Sequence, residues 1–216
     1  MKDRYKNYFK EHYKSAFSAR DILTYQKWFC VQYRFIKSKI KPARDILEIG
    51  SGLGGFYSLL PKESQKKYVG LELDADSVCF ANAYFKSEVF LNTSLEEFEP
   101  KSQFGVVCAF EVLEHLDNPI FGIQKIATLL EKKGVFIGTS PYPYKKNVVA
   151  DKTHTFVLHP ENWKQLFLNN GFTSVEIFPM SFLPSLWRMH RNLNIRLPFY
   201  VPFTHCVSTC LLVAKK

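Results

Sequence analysis

The segment DILEIGSGLGGF, residues 45–56, constrains the fold more than any other part of the chain. A short apolar run, ILEI (46–49), stops at a cluster that holds four of the ten glycines: Gly50, Gly52, Gly54 and Gly55. Glycines at this density free the backbone for left-handed turns and remove the side chains that would hold a ligand away. A strand ending in such a turn, with a helix to follow, turns backbone N–H groups toward a bound ligand. Gly50, Gly52 and Gly55 also satisfy G-x-G-x-x-G, a spacing that suits a dinucleotide or another adenosine ligand equally. Glu72 ends the next apolar run, YVGLEL (68–73), about 20 residues past Gly52, where a carboxylate accepts from the hydroxyls of a ribose.

Downstream, short apolar strands alternate with helices. SEVFL (87–91) reads as a third strand, FGVVCAF (104–110) as a fourth and GVFIGT (134–139) as a fifth. A helix lies between the last two, with Pro119 near its start, Ile120, Ile123, Leu129 and Leu130 as its apolar positions and Gly134 beyond its end. This alternation predicts an α/β fold with a doubly wound, Rossmann-like sheet and helices on both faces. A helix from Pro160 to Asn170 then leads into FTSVEIF (172–178), and VSTCLLVA (207–214) follows with no helix between. Two late strands joined in this way predict an antiparallel end to the sheet. The connection between them, residues 181–206, carries three prolines and three arginines among its apolar residues, and an apolar loop of that length reads as functional. Ahead of the sheet, residues 3–40 read as two amphipathic helices stopped by Pro42. The expected organisation is therefore a helical cap over 1–44 and a ligand-binding domain over 45–216, with an insertion at 181–206.

Charge is unevenly spread. Residues 1–44 hold 12 Lys/Arg against 3 Asp/Glu, residues 45–176 hold 12 against 17, and residues 177–216 hold 5 against none. Lys2, Lys6, Lys10 and Lys14 stack on one helix face, which invites an anionic neighbour. A solvated face is the plain reading of the basic ends; peripheral contact with an anionic membrane is the alternative to it, ahead of nucleic acid. Five cysteines without a C-x-x-C pair or a histidine spaced for zinc predict reduced thiols, no metal and a cytoplasmic setting. The 18 residues from Leu197 to Ala214 lack Asp, Glu, Lys and Arg, but Pro198, Pro202 and the later alternation favour a strand over a membrane-spanning helix.

The segment CAFEVLEHLDNP (108–119) separates the candidate ligands. With DILEIGSGLGGF, YVGLEL and GVFIGTSPYP, it resembles the class I S-adenosylmethionine-dependent methyltransferases, in the branch whose fourth strand ends in EVLEHL. The resemblance runs from Asp45 to about Gly171 and implies seven strands, the last antiparallel, with S-adenosyl-L-methionine as cofactor. It implies that Glu48, Gly50, Ser51, Gly52 and Gly54 surround the methionine half, that Glu72 and Leu73 meet the ribose, and that Ser94 and Leu95 meet the adenine. Phe110 would lie beside the methionine end. Ser94 stands where the family often has aspartate, and Gly105 replaces a common aspartate at the start of the fourth strand.

Transfer of a methyl to an alcohol requires loss of the hydroxyl proton, so histidines on the ligand side are candidates for catalysis. His115 follows the fourth strand. His154, in ADKTHTFVLHP, resembles the D-x-T-H segment of some methyltransferases of polysaccharide and glycoside biosynthesis, and His154 with Asp151 is the favoured substrate-facing pair. His159, before Pro160, reads as a structural residue at a helix start, while Tyr142 and Tyr144 suit an acceptor pocket. The expected acceptor is a hydroxyl on a small molecule or glycan, lipid-linked if the basic ends dock on a membrane. The glycine spacing also fits an NAD(P)-dependent oxidoreductase, but no Tyr-x-x-x-Lys set follows directly on the fourth strand, in residues 111–119. A non-catalytic binding module of the same fold is the other alternative.

Overall fold

The structure is a computed structural model that describes residues 17–37, 40, 44–144, 153–182, 196–201 and 207–216. Asp151, the lysine-bearing helix expected before residue 17 and most of the 181–206 insertion lie outside the described residues. The chain divides into two compact units, residues 1–99 and 100–216.

In the first unit, helix α1 spans Ala19–Ile36. Its start is fixed by Asp21, whose Oδ2 accepts from the Ser18 backbone N–H at 2.8 Å and from the Ser18 hydroxyl at 2.7 Å. Strand β1 (Ile46–Ile49) is buried along its whole length, and β2 (Tyr68–Glu72) and β3 (Phe90–Asn92) lie parallel beside it in the order β3-β2-β1. The short helix α2 (Lys62–Gln65) precedes β2. Helix α3 (Ala75–Phe85) is capped by Asp74, which accepts from the Ser77 N–H at 2.8 Å and the Ser77 hydroxyl at 2.6 Å. The third strand begins later than expected, because Asn82 captures Phe90 through both its backbone N–H and its carbonyl and sets the start of pairing there.

The second unit holds β4 (Phe104–Phe110), helix α4 (Pro119–Leu129), β5 (Leu130–Pro141), helix α5 (Pro160–Asn169), β6 (Ser174–Phe182), a two-residue β7 (Arg196–Leu197) and β8 (Val207–Lys215). Strands β4 and β5 are parallel, and β8 runs antiparallel to both β5 and β6. This is the antiparallel finish expected from the missing helix. The fifth strand starts four residues before Gly134, since α4 passes directly into extended chain at Leu130, which pairs with Phe104 across a bulge. Lys133 takes the left-handed turn in that segment (φ 66°). Phe136, Phe167 and Phe172 pack at ring separations of 4.8 and 5.0 Å, with Trp163 buried near one end of α5. Among the described residues no helix is long and apolar enough to cross a membrane. The charge-free stretch instead ends as β8, whose residues Ser208–Ala214 are all buried.

Candidate cofactor and acceptor sites

The glycine turn of the first unit is built from its backbone. Gly50, Gly52 and Gly54 all have positive φ, 71°, 52° and 77°. The N–H groups of Gly50 and Ser51 donate to the Leu71 carbonyl at 2.8 and 2.9 Å, tying the turn to the end of β2. Gly54 also needs its missing side chain, since a Cβ there would sit 2.6 Å from Phe85 and 2.8 Å from Phe90. Those two rings belong with Tyr57 and Tyr68 to an aromatic cluster under the turn, with Tyr57 at 4.9 Å from Tyr68 and 5.0 Å from Phe85.

Glu72 organises the ends of the two strands. Its Oε2 accepts from the Gly52 N–H at 2.9 Å, and its Oε1 accepts from the N–H groups of Leu73 at 2.7 Å and Asp74 at 3.0 Å. Burial raises its pKa, and the three backbone donors work against that rise. Asn92, which sequence reasoning passed over, donates from Nδ2 to the carbonyls of Glu72 and Leu73 at 3.1 and 2.9 Å. Its only signal was its place at the end of the third strand.

Glu48 is buried in β1, 1% exposed, and one oxygen accepts from the Tyr68 hydroxyl. Burial raises its pKa to about 8, against the pull of the Tyr68 bond and with a smaller push from Glu72. Its Oε1 and the Ser51 hydroxyl are buried without a hydrogen-bond partner among the described residues. Ser94 is buried and its hydroxyl accepts from the Glu97 N–H at 3.2 Å, which makes it the cap of a turn that buries Leu95.

In the second unit, β4 ends at buried Phe110 and the chain turns at Glu111, a non-glycine residue at φ 54°. The conformation is held by Glu111 N–H donating to the Thr139 carbonyl at 3.0 Å, while Thr209 Oγ1 donates to Glu111 Oε1 at 2.8 Å. Burial raises the Glu111 pKa, and Thr139, Thr209 and the charge of His154 oppose that rise. A turn of 3₁₀-helix follows at Leu113–His115. The Glu114 carbonyl accepts from the N–H groups of Thr155 and Phe156 at 2.8 and 3.0 Å. That clamp brings His154 to His115, with ring centroids 4.8 Å apart. His115 Nδ1 lies 3.2 Å from the Thr153 carbonyl and 3.2 Å from its hydroxyl.

Three further aromatic residues gather in this unit. Tyr142 packs with its ring centroid 4.6 Å from that of Tyr144 and 4.0 Å from that of Tyr200, the planes tilted by 46° and 36°. Its hydroxyl lies 3.3 Å from His159 Nε2, while His159 Nδ1 accepts from the Glu161 N–H at 3.4 Å as the cap of α5. His159 thus has the structural place expected of it. The Tyr200 hydroxyl is buried with no partner among the described residues, and burial pushes its pKa up. Part of the late connection is fastened beside this cluster, where the Ser181 hydroxyl donates to the Phe199 carbonyl at 2.6 Å. Glu111, Glu114 and Thr209 were not singled out from sequence, although EVLEH displayed the two glutamates.

The family described as "Methyltransferase domain" (Methyltransf_23) matches residues 30–177. The mitochondrial ubiquinone biosynthesis O-methyltransferase of Dictyostelium discoideum is 29% identical over 111 residues, 44% of this chain and 35% of that protein. A probable S-adenosylmethionine-dependent methyltransferase of Mycobacterium tuberculosis is 23% identical over 163 residues, 72% of this chain and 58% of its own length. The chain therefore spans between about a third and three fifths of these curated relatives. Among solved structures, a SAM-dependent methyltransferase of Thermotoga maritima aligns with a TM-score of 0.68 at 16% identity, covering 98% of this chain and 97% of its own. The magnesium protoporphyrin IX methyltransferase of Synechocystis, crystallised with SAM, aligns with a TM-score of 0.63 at 12% identity, over 100% of this chain and 95% of its own. These likenesses give the whole chain the seven-stranded Rossmann-like fold, to which β7 adds a two-residue edge. With its family match over residues 30–177, the chain belongs to the methyltransferase-domain family, and its fold is the Rossmann-like one of the S-adenosylmethionine-dependent methyltransferase structures it resembles.

Proposed function

We propose that this protein transfers a methyl group from S-adenosyl-L-methionine to a hydroxyl of a small molecule or glycan. The observation that carries the cofactor half is the buried carboxylate pair of the first unit. Glu48 Oε1 has no donor among the described residues, which suits the ammonium of a methionine moiety, and Ser51 Oγ beside the same turn suits its carboxylate. Glu72 Oε2 takes one backbone donor and keeps capacity for a ribose hydroxyl. Gly50, Gly52 and Gly54 keep the turn bare of side chains, with Leu73 at the ribose and Ser94 and Leu95 at the adenine. Bound, the cofactor supplies an electrophilic methyl on a sulfonium that needs no acid to leave.

The acceptor half rests on the second unit. An alcohol is a weak nucleophile until its proton is lost, and the His115–His154 pair is where that proton leaves. Tyr142, Tyr144 and Tyr200 offer ring faces and hydroxyls to a polar acceptor with an apolar side, and Phe110 stays assigned to the methionine end by family likeness. The Dictyostelium relative, named as a ubiquinone biosynthesis O-methyltransferase, supports oxygen as the acceptor atom. Asp151 remains the assigned orienting partner of His154. Turnover is tested by following S-adenosylhomocysteine release against panels of phenols, glycosides and lipid-linked sugars, with amines as the competing class. Methylation confined to amines would overturn the hydroxyl assignment, and absence of cofactor binding would overturn the enzyme itself.

A further inference from the structure

We propose that Glu114, His115 and His154 hold one divalent first-row cation, of the Mn²⁺ or Zn²⁺ kind, and that this ion activates the acceptor. The proposal rests on the methyl-transfer reading only for the ion's task; the site itself stands on geometry.

One ligand atom from each of these three residues lies within 4.8 Å of the other two. An ion bound at ~2.1 Å from each would draw them somewhat closer, a movement within reach of side-chain rotation. The carboxylate side is fixed: Glu114 is 0% exposed, in the short 3₁₀ turn that follows β4. The histidine side is brought to it by the two hydrogen bonds from Thr155 and Phe156 to the Glu114 carbonyl, so the backbone of one ligand residue anchors the segment that carries another. His115 Nδ1 faces the Thr153 carbonyl, which only accepts, and the Thr153 hydroxyl, which can donate or accept, both at 3.2 Å; in the tautomer that satisfies the carbonyl the proton of a neutral ring is on Nδ1. The metal-binding lone pair is then on Nε2, and a histidine ligand oriented by a backbone carbonyl through its other nitrogen is the usual arrangement in metal sites.

Charge favours a dication as well. Two imidazoles and one buried carboxylate leave a divalent ion with a net single positive charge. Imidazole donors select first-row transition ions over Mg²⁺, which prefers an all-oxygen shell. An alcohol bound to such an ion loses its proton more readily, as water does on zinc. With the ion bound, the two histidines serve as its ligands in place of the base role proposed for them without it; the oxygen–methyl bond forms as the sulfur–methyl bond breaks, and the alcohol proton passes to solvent water. Sequence spacing gave no sign of the site, because His154 lies far along the chain from EVLEH.

The test uses the full chain stripped of metal and titrated with Mn²⁺, read by calorimetry and by loss of the free-ion electron paramagnetic signal, with Co²⁺ absorption reporting nitrogen ligation. The expected result is one ion per chain, with affinity at least ~10-fold weaker in both His115→Ala and His154→Ala. These half-buried histidines are preferred to Glu114, whose replacement endangers folding, and S-adenosylmethionine affinity serves as the folding control. No stoichiometric Mn²⁺ binding in the unaltered chain, or equal binding in both variants, would overturn the site. Turnover that persists after complete chelation would overturn the ion's task. A metal-loaded protein that binds no S-adenosylmethionine would leave the site standing and refute the methyl-transfer reading, so the two failures are distinct.

Discussion

The Tyr68 hydroxyl donates to Glu48 across the first two parallel strands, and the other oxygen of the same carboxylate is buried with no donor among the described residues. Between its ordinary value of 4.5 and its folded value of about 8, Glu48 holds a proton that the unfolded chain has lost. A group whose folded pKa is raised makes stability fall as pH rises through that window, by at most ~1.4 kcal/mol per pH unit. Thermal unfolding of the ligand-free protein is expected to weaken from about pH 5 to pH 8, and Glu48→Gln is expected to flatten that slope. If the cofactor ammonium pairs with Glu48, S-adenosylmethionine binding at pH 7 releases close to one proton, measurable by calorimetry in two buffers of different ionisation enthalpy. Equal apparent enthalpies in the two buffers would count against that pairing.

Glu72 holds the glycine turn and is the proposed ribose acceptor, so Glu72→Ala removes a carboxylate from both. Loss of a charge-assisted hydrogen bond costs ~1.5–3 kcal/mol, which lowers cofactor affinity by roughly 10- to 150-fold. A titration in which Glu72→Ala binds S-adenosylmethionine as tightly as the unaltered chain would refute the assignment.

Gly54 and Gly171 separate crowding from backbone strain. Both have positive φ, but a Cβ at Gly54 meets two aromatic rings below 3.0 Å, whereas at Gly171 it meets only Ala127 at 3.4 Å. Gly171→Ala should cost ~1–2 kcal/mol from φ alone, and Gly54→Ala ~2–5 kcal/mol from strain and overpacking together. Denaturant midpoints that rank the two in the opposite order would show that the aromatic cluster yields more easily than its packing implies.

His154→Ala is expected to lower turnover ~10²- to 10⁴-fold while leaving cofactor affinity near its original value. The comparison with His115→Ala ranks the two rings, since both lie at the same cluster. An active His154→Ala with an inactive His115→Ala would move the principal role to His115.

The basic ends, with 12 Lys/Arg in residues 1–44 and 5 in residues 177–216, are expected to bring the protein to anionic vesicles at low salt. Co-sedimentation should fall as salt shortens the screening length to ~8 Å and below. Protein that stays in the supernatant with anionic vesicles at low salt would make a soluble acceptor the better reading.

Much of the cofactor side was legible because its parts are close in sequence or share a strand end. Gly50, Gly52 and Gly54 announce their left-handed turns by composition, and Glu72 announces itself by ending an apolar run. The donors that reach Glu72, from Gly52, Leu73 and Asp74, follow from that placement. Glu48 was read as a cofactor residue, but its raised pKa was not visible, because that depends on what buries it and on the reach of Tyr68 from the neighbouring strand.

The sequence by itself determined the alternation of strands and helices, the glycine turn and the antiparallel finish, since each of these is carried by local periodicity or residue type. Tertiary structure alone decided that His154 meets His115 and Glu114, because two backbone hydrogen bonds to the Glu114 carbonyl join segments far apart in the chain. It also decided that Tyr200 packs against Tyr142 and that Ser94 spends its hydroxyl on a turn. Local pattern reports which face a residue occupies; which distant group shares that place depends on chain closure and on the burial that closure creates, and neither has a signature in the order of residues.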